Sequence, residues 1–134
     1  HGRTNAILLP YVIRYNGTRP SKTTTWPKYN YWKADEKFQD IARMLGLPHS
    51  TPEEAVEAYA KAVYDLGVAV GIKMNFKDQG IDEKAWKDSL HEIALLAYED
   101  QCSPANPRLP MVADMEEIMA DAYYGYAERP GRRK

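Results

Sequence analysis

The sequence predicts an all-α fold, a bundle of about five helices. Apolar residues recur at intervals of three and four in five separate stretches of the 134-residue chain, and this is the period of a helix with one buried face. No stretch of four to eight residues shows the strict alternation that is typical of a half-buried strand. Because the connections between the five stretches are short, neighbouring helices are expected to pack antiparallel.

The first predicted helix begins at His1 and ends near Asn16. Its apolar stripe consists of Leu8, Tyr11 or Val12, and Tyr15. Pro10 loosens such a helix without forbidding it, since the ring removes one backbone hydrogen bond. Residues 17–27 are polar, rich in Thr, Ser and Pro, and without a period, so they are expected to form a loop.

The second and third helices are predicted from both stripes and end signals. The second spans residues 30–45, with an inward face of Ala34, Phe38, Ile41 and Leu45. Gly46 follows it, and glycine supplies the left-handed conformation that commonly ends a helix. Thr51 as N-cap, Pro52 at the first helical position and Glu54 form a capping box that starts the third helix. Its stripe consists of Val56, Tyr59, Val63, Leu66 and Val70.

The last two helices follow a segment without a clear period. Residues 72–80 are expected to form a connection between helices, and the side chains of Met74 and Phe76 in this connection are expected to fill the protein core. Asp82 is the predicted N-cap of the fourth helix, whose inward residues are Trp86, Leu90, Ile93 and Ala97. Residues 103–110 contain three prolines, which no helix can run through. The fifth helix then carries Val112, Met115, Met119, Ala122 and Tyr126 inward.

Length and composition favour one globular domain, residues 1–134, without nucleic-acid or membrane partners. With 18 basic and 19 acidic residues the formal charge is −1, so no general attraction to nucleic acid or anionic lipid is expected. The basic tail, residues 129–134, is interpreted as a solvated end. A single cysteine excludes an internal disulfide, and no signal peptide or membrane-spanning run is found in the sequence, so a cytoplasmic location is expected.

Three histidines and one cysteine are the candidates for a site. Neutral imidazole is the commonest protein metal ligand, and His1 at the start of a helix can project into a cleft. His49 in a short loop and His91 next to an apolar stripe are interpreted as structural. Neither has a second histidine four residues away on the same helix face. Cys102 begins a turn after a helix, where it either lines a site or is a small buried hydrophobic residue.

Two segments of the chain resemble a known family. The run HGRTNAILLPYVIRYN resembles the segment of the group III, iron-dependent alcohol dehydrogenases that carries the last of their metal ligands. The later run YEDQCSPANPR is similar to a second segment of that family. The remaining stretches, WPKYNYWKADEKFQDIARMLGL, GIKMNFKDQGIDEKAWK and DAYYGYAERPGRRK, resemble the alcohol dehydrogenase end of the bifunctional aldehyde-alcohol dehydrogenases. The resemblance covers essentially the whole chain, whose length corresponds only to the C-terminal part of such an enzyme.

The resemblance implies a two-domain site. In the family, an N-terminal α/β domain binds NAD, a helical C-terminal domain packs beside it, and iron lies between them, held by one aspartate and three histidines. His1 matches the last of those histidines, and the other ligands lie upstream. Cys102 matches a residue near the substrate cleft, while Asn106 and Arg108 belong to the same signature and are expected to shape the turn.

The chemistry implied by the resemblance is hydride transfer between nicotinamide and an alcohol or aldehyde. For the bifunctional subgroup the pair is acetaldehyde and ethanol in fermentation, with Fe²⁺ as the Lewis acid. The 134 residues contain no glycine-rich phosphate-binding loop, so NAD is not expected to bind this chain. The chain is therefore expected to be an inactive fragment, detached from the missing N-terminal part of an enzyme that forms homo-oligomers or filaments.

Two alternatives come from other functional classes. In the first, the chain is a helical interaction or assembly module of the same parent protein. In the second, a free N-terminal histidine chelates copper through its amine and ring, as in oxidative polysaccharide-cleaving enzymes. Those enzymes are β-sandwiches, and the helical period of this sequence argues against them.

Overall fold

A computed structural model describes residues 1–20 and 32–125. Within these ranges the helices are α1 (Gly2–Gly17), α2 (Ala34–Met44), α3 (Pro52–Ala69), α4 (Glu83–Glu99) and α5 (Val112–Tyr124), with a short 3₁₀ helix at Ser103–Ala105. The described ranges contain no β-strand. The all-α prediction is confirmed, and the β-sandwich that a copper-binding N-terminal histidine would require is wrong for this chain.

Helix α1 connects the two halves of the core. It packs against α2, α3 and α5, while α2 packs on α3 and α4 on α5. Its residues Ile7 and Tyr11 belong to one buried cluster, and Ile13, two residues further on, belongs to a second cluster with Val56 and Ala60 of α3. The first segment of the chain is therefore the element on which both helix pairs assemble.

The larger cluster is aromatic. The indole of Trp86 stacks on the Tyr123 ring with 5.3 Å between centroids and lies 5.4 Å from the ring of Phe76. Met74 is 2% exposed, so the prediction that Met74 and Phe76 fill the core from the connection before α4 is confirmed. The Phe76 backbone N–H also donates to the carbonyl of Ala122 at 3.1 Å, which satisfies one of the free carbonyls at the end of α5.

Both predicted N-caps are present. Thr51 Oγ1 accepts the backbone N–H of Glu54 at 3.2 Å, and Asp82 Oδ2 accepts that of Ala85 at 2.9 Å. The Glu54 carboxylate returns to the N–H of Ser50 at 2.7 Å. The second hydrogen bond of the capping box is therefore donated by the backbone N–H of Ser50, the residue before Thr51, and not by that of Thr51.

Several predicted inward positions are wrong. Leu45 is 59% exposed because α2 ends one residue earlier, at Met44. On α3, Leu66 and Val70 are 63% and 65% exposed. The buried side of that helix is formed instead by small residues, Ala55, Ala60 and Gly67, together with Val56. Small side chains let neighbouring backbone approach closely, and a stripe read from large apolar residues misses such a face.

A similar correction applies to α4 and α1. Ile93 is 39% exposed whereas Ala94 is fully buried, so the predicted inward position Ile93 is wrong. The predicted inward positions Trp86 and Leu90 are confirmed, since Trp86 is buried and Leu90 packs against the core. In α1 the core residues are Ile7, Tyr11 and Ile13, while Leu8, Val12 and Tyr15 are partly exposed. The predicted inward position Tyr126, the predicted start of the second helix at residue 30 and the basic tail lie outside the described residues.

None of the described helices has the length and apolarity needed to cross a membrane.

We expect Gly17→Ala to destabilise the fold. A Cβ built at Gly17 would lie 2.5 Å and 2.7 Å from the two Cγ atoms of Val56, whose stiff, buried side chain has little room to move. Overpacking of this kind costs about 1 to 3 kcal/mol, measured as the free energy of unfolding in urea. Gly2→Ala is the matched control, because a Cβ there meets nothing within 4 Å. Equal stability of the two variants would contradict the close approach of α1 to α3.

Candidate metal and substrate groove

The two residues singled out from the sequence line one groove. His1 and Cys102 both open on a cavity of about 710 Å³ formed by α1, α4, α5 and the turn between α4 and α5. The walls are mainly apolar, with Leu8, Val12, Leu96, Ile118 and Met119 among the lining residues. The structure therefore brings together a candidate metal ligand and a candidate substrate contact that are 101 positions apart in the sequence.

Helix periodicity explains which residues face the groove. On α1 they are His1, Asn5, Leu8, Val12 and Tyr15, spaced by four and three residues and therefore on one side of the helix. The partly exposed stripe predicted as core is thus the wall of the groove, and Ile7 and Tyr11 on the adjacent side reach the core. On α5 the lining residues Met115, Ile118 and Met119 follow the same rule.

His1 presents a ring nitrogen suited to a metal. It is the N-cap residue of α1 and is exposed, and its Nε2 lies 3.2 Å from Nδ2 of Asn5. In the tautomer protonated at Nδ1, Nε2 accepts this bond from the amide. The same lone pair would bind a metal ion, so a metal at Nε2 would replace the contact with Asn5. In the described part of the chain, no group of three or more His, Cys, Asp or Glu side chains is placed to hold a metal ion.

The other two histidines have structural contacts away from this groove. His49 Nδ1 lies 2.7 Å from the carbonyl oxygen of Leu47, and its own carbonyl accepts the Gln39 amide at 2.9 Å. His91 pairs with Glu116 at 2.6 Å, joining α4 to α5, and its side chain is 77% exposed. The interpretation of both as structural histidines agrees with these contacts.

Cys102 lies at the start of the 3₁₀ helix and is exposed. It is therefore not the buried hydrophobic residue that was the alternative interpretation. Its backbone N–H donates to Oδ1 of Asp100 at 2.7 Å. A hydrogen bond from the thiol to the Asp100 carboxylate, and the negative charge of that group, raise the pKa of the Cys102 thiol above its usual value, with desolvation adding to the effect. At neutral pH the side chain is thus a neutral thiol and a poor nucleophile.

A reciprocal amide pair joins the Cys102 turn to the end of α1. Asn16 Nδ2 donates to Oδ1 of Asn106 at 3.1 Å, and Asn106 Nδ2 donates to Oδ1 of Asn16 at 2.7 Å. Asn16 is 7% exposed, and its backbone carbonyl accepts the indole N–H of Trp32 at 3.1 Å. Sequence reasoning missed Asn16; the signal was a polar residue at the end of an otherwise apolar helix, which calls for a partner when buried.

Tyr15 and Arg108 reinforce this contact. The guanidinium carbon of Arg108 lies 4.1 Å from the centre of the Tyr15 ring, and Nη1 donates to the Tyr15 carbonyl at 3.1 Å. A cation at the end of α1 also complements the negative end of the helix dipole. The Tyr15 hydroxyl contacts the Leu109 carbonyl at 3.0 Å and Oδ2 of Asp114 at 3.1 Å. The expectation that Asn106 and Arg108 shape the turn agrees with these contacts.

Comparison with known proteins finds a family model and several relatives that match most or all of the chain. The family model "Fe-containing alcohol dehydrogenase family, C-terminal" matches residues 1–123. An aldehyde-alcohol dehydrogenase of Streptococcus pneumoniae serotype 2, strain D39, is 80% identical over all 134 residues, which cover 15% of that relative. Aldehyde-alcohol dehydrogenase 2 of Entamoeba histolytica is 56% identical over 127 residues, 95% of the chain and 15% of the relative.

A more distant relative gives the same picture. The bifunctional aldehyde-alcohol dehydrogenase of Escherichia coli K12 is 32% identical over 128 residues, which are 93% of the chain and 14% of the relative. The chain therefore spans about one seventh of the length of each of these three relatives.

We expect Asp100→Asn to make Cys102 more reactive. The asparagine Oδ1 can still accept the Cys102 N–H, so the turn is retained, whereas the negative charge that raises the thiol pKa is removed. Since only the thiolate reacts, the pH profile of alkylation by iodoacetamide should shift to lower pH and the rate at pH 8 should rise. The single cysteine of the chain makes this readout specific.

The matched control for this experiment is Glu99→Gln. It removes one negative charge from the adjacent residue, which is not among the groups that shift the Cys102 pKa. An unchanged alkylation profile in Asp100→Asn, or an equal shift in the control, would show that Asp100 does not hold the thiol neutral.

Proposed function

Because the chain belongs to the Fe-containing alcohol dehydrogenase family and matches its C-terminal part, we propose that residues 1–134 form the helical C-terminal domain of a longer aldehyde-alcohol dehydrogenase. The identity of 80% to a relative of that name supports this assignment. The small share of each relative that the chain covers supports a longer polypeptide whose preceding part completes the site.

The activity that we propose for the complete protein is interconversion of acetaldehyde and ethanol with NADH and NAD in fermentation. The observation that carries it is the joint position of His1 and Cys102 on one apolar groove. His1 would bind Fe²⁺ through Nε2, with the metal replacing the Asn5 amide that lies 3.2 Å from this nitrogen. The other ligands and the NAD site are proposed to lie in the preceding part of the polypeptide, as the resemblance to the family implies.

The residues of this chain have three roles in the proposed reaction. Bound iron would act as a Lewis acid that polarises the carbonyl oxygen of the aldehyde. His1 would hold the metal from its position as the N-cap residue of α1. Leu8, Val12 and Met119 provide an apolar wall that excludes water and strengthens electrostatic interactions near the reacting atoms. Cys102, kept as a neutral thiol by Asp100, lines the substrate cleft without attacking the aldehyde.

An assembly role is the second candidate, and exposed apolar residues favour it. Leu66 and Val70 lie one turn apart on the same side of α3, at its C-terminal end, and are 63% and 65% exposed. Apolar surface of this kind commonly marks protein contacts. The assembly role is compatible with the proposed enzyme activity, since we expect the complete protein to form homo-oligomers or filaments.

The test of the proposed function is His1→Ala in the full-length protein. Loss of one ligand should empty or weaken the iron site, and turnover of ethanol should fall by more than about 10²-fold, since even residues that only orient a ligand contribute 10- to 100-fold. The side chain of His1 is exposed and contacts only Asn5 among the described groups, so the melting temperature should change little. Iron content, kcat and melting temperature are measured together.

His91→Ala is the control, because that imidazole is as surface-exposed but lies away from the groove. A variant at His1 that keeps its iron and its activity would overturn the proposal.

The isolated 134-residue chain should bind Fe²⁺ or Zn²⁺ no better than an arbitrary surface histidine and should not oxidise ethanol with NAD. Stoichiometric metal at micromolar concentration on the isolated chain would contradict the role given to His1.

A further inference from the structure

We propose that Asn106 is a positioning residue that fixes the Cys102 wall of the groove against α1 and thereby sets the size of alcohol that the site accepts. The inference rests on the proposed function, since it concerns substrate selection in the same groove. It is carried by the contacts of Asn106 and by its position on the lining of the groove that His1 and Cys102 also line.

Asn106 connects three parts of the groove at once. It lines the groove, its amide exchanges two hydrogen bonds with Asn16 of α1, and its Nδ2 also donates to the carbonyl of Arg108 at 2.5 Å. The last bond folds the turn on itself, and the first two attach it to the helix that begins at His1. Cys102 lies four residues before Asn106 on the same turn. The turn is thus bonded to α4 on one side, through the Cys102 N–H to Asp100, and to α1 on the other side, through Asn106.

The attachment is made at the far end of the helix that carries His1. Fourteen to fifteen residues separate His1 from Tyr15 and Asn16, which corresponds to about 22 Å at 1.5 Å per residue. Both ends of that helix line the groove. The turn is therefore attached to α1, the same helix that carries the proposed metal ligand at its start. A shift of the turn would change the width of the groove while His1 stays in place.

The amide group is chemically required here. Its carbonyl accepts from Asn16 while its NH₂ donates to Asn16 and to Arg108, a combination of donor and acceptor in one planar group that a hydroxyl, a carboxylate or an ammonium cannot reproduce. Removing it would leave the buried Asn16 amide without its partner, and a buried polar group in that state attracts water or moves. Either response alters a groove whose remaining lining is mainly apolar.

The experiment compares Asn106→Ala with Asn75→Ala in the full-length protein. Asn75 is a second turn asparagine with two amide hydrogen bonds, both to Asp78 at 2.7 Å, and it does not line the groove. We expect Asn106→Ala to lower kcat/KM for ethanol by about 10-fold or more, chiefly through KM, because small misplacements of a site wall have effects of up to 10²-fold. The ratio of kcat/KM for 1-butanol to that for ethanol should rise by about 10-fold, the effect of roughly one methylene group in a pocket.

Iron content and melting temperature separate positioning from a merely structural role. In Asn106→Ala the iron content should equal that of the wild type, and the loss of melting temperature should resemble that of Asn75→Ala, whose substrate ratio should not move. The double variant Asn16→Ala/Asn106→Ala should show the same ratio as Asn106→Ala alone, since the two amides act as one pair.

Two results would overturn the inference. One is an unchanged substrate ratio in Asn106→Ala, and the other is a loss of activity that follows loss of iron or of folded protein in proportion. Failure of the proposed function has a different signature, because the wild-type protein would then show no iron-dependent oxidation of any alcohol.

Discussion

The packing of α1 between two helix pairs is the constraint on which the rest of the structure depends. One helix has to supply Ile7 and Tyr11 to the aromatic cluster, Ile13 to the cluster with α3, and a third side to the groove. The close approach to α3 is possible because Gly17 leaves room for Val56. With both neighbours in contact, α1 has a single orientation, and its first residue, His1, stands at one place beside the groove.

The same constraint explains why the site can be built from distant parts of the chain. Helix α5 packs against both α1 and α4, so the turn between α4 and α5 lies against the end of α1. There the polar groups of Asn16, Asn106, Arg108 and Tyr15 satisfy one another. Hydrogen bonds of this kind add direction to apolar packing, which by itself is non-directional. The apolar core thus decides which elements meet, and the polar contacts decide their register.

The groove contains only part of the proposed site, and the charges of its lining residues are compatible with that state. The Cys102 thiol is neutral and adds no charge to the groove, and it donates a hydrogen bond to Asp100, the one carboxylate among the lining residues. In the proposed complete enzyme the metal and the remaining ligands would bring their own charges together. The chain contributes a prearranged wall and one ligand, which is what a domain facing a cleft can supply on its own.

The sequence by itself determined the helices and singled out two candidate site residues. Helix ends follow from local chemistry, such as the caps at Thr51 and Asp82, because these signals act within three or four residues. The identity of His1 and Cys102 as candidates came from a resemblance of two segments to a known family, which states residue types but not distances.

Only the tertiary structure decided which helix faces are buried and how the site is held. The buried side of α3 consists mostly of small residues. Of the stripe predicted on α1, Tyr11 is in the core, whereas Leu8, Val12 and Tyr15 line the groove. Whether an apolar side is covered depends on which helix packs there, and that partner lies far away in the sequence. The pairing of Asn16 with Asn106 joins residues 90 positions apart, and no local pattern contains such a contact.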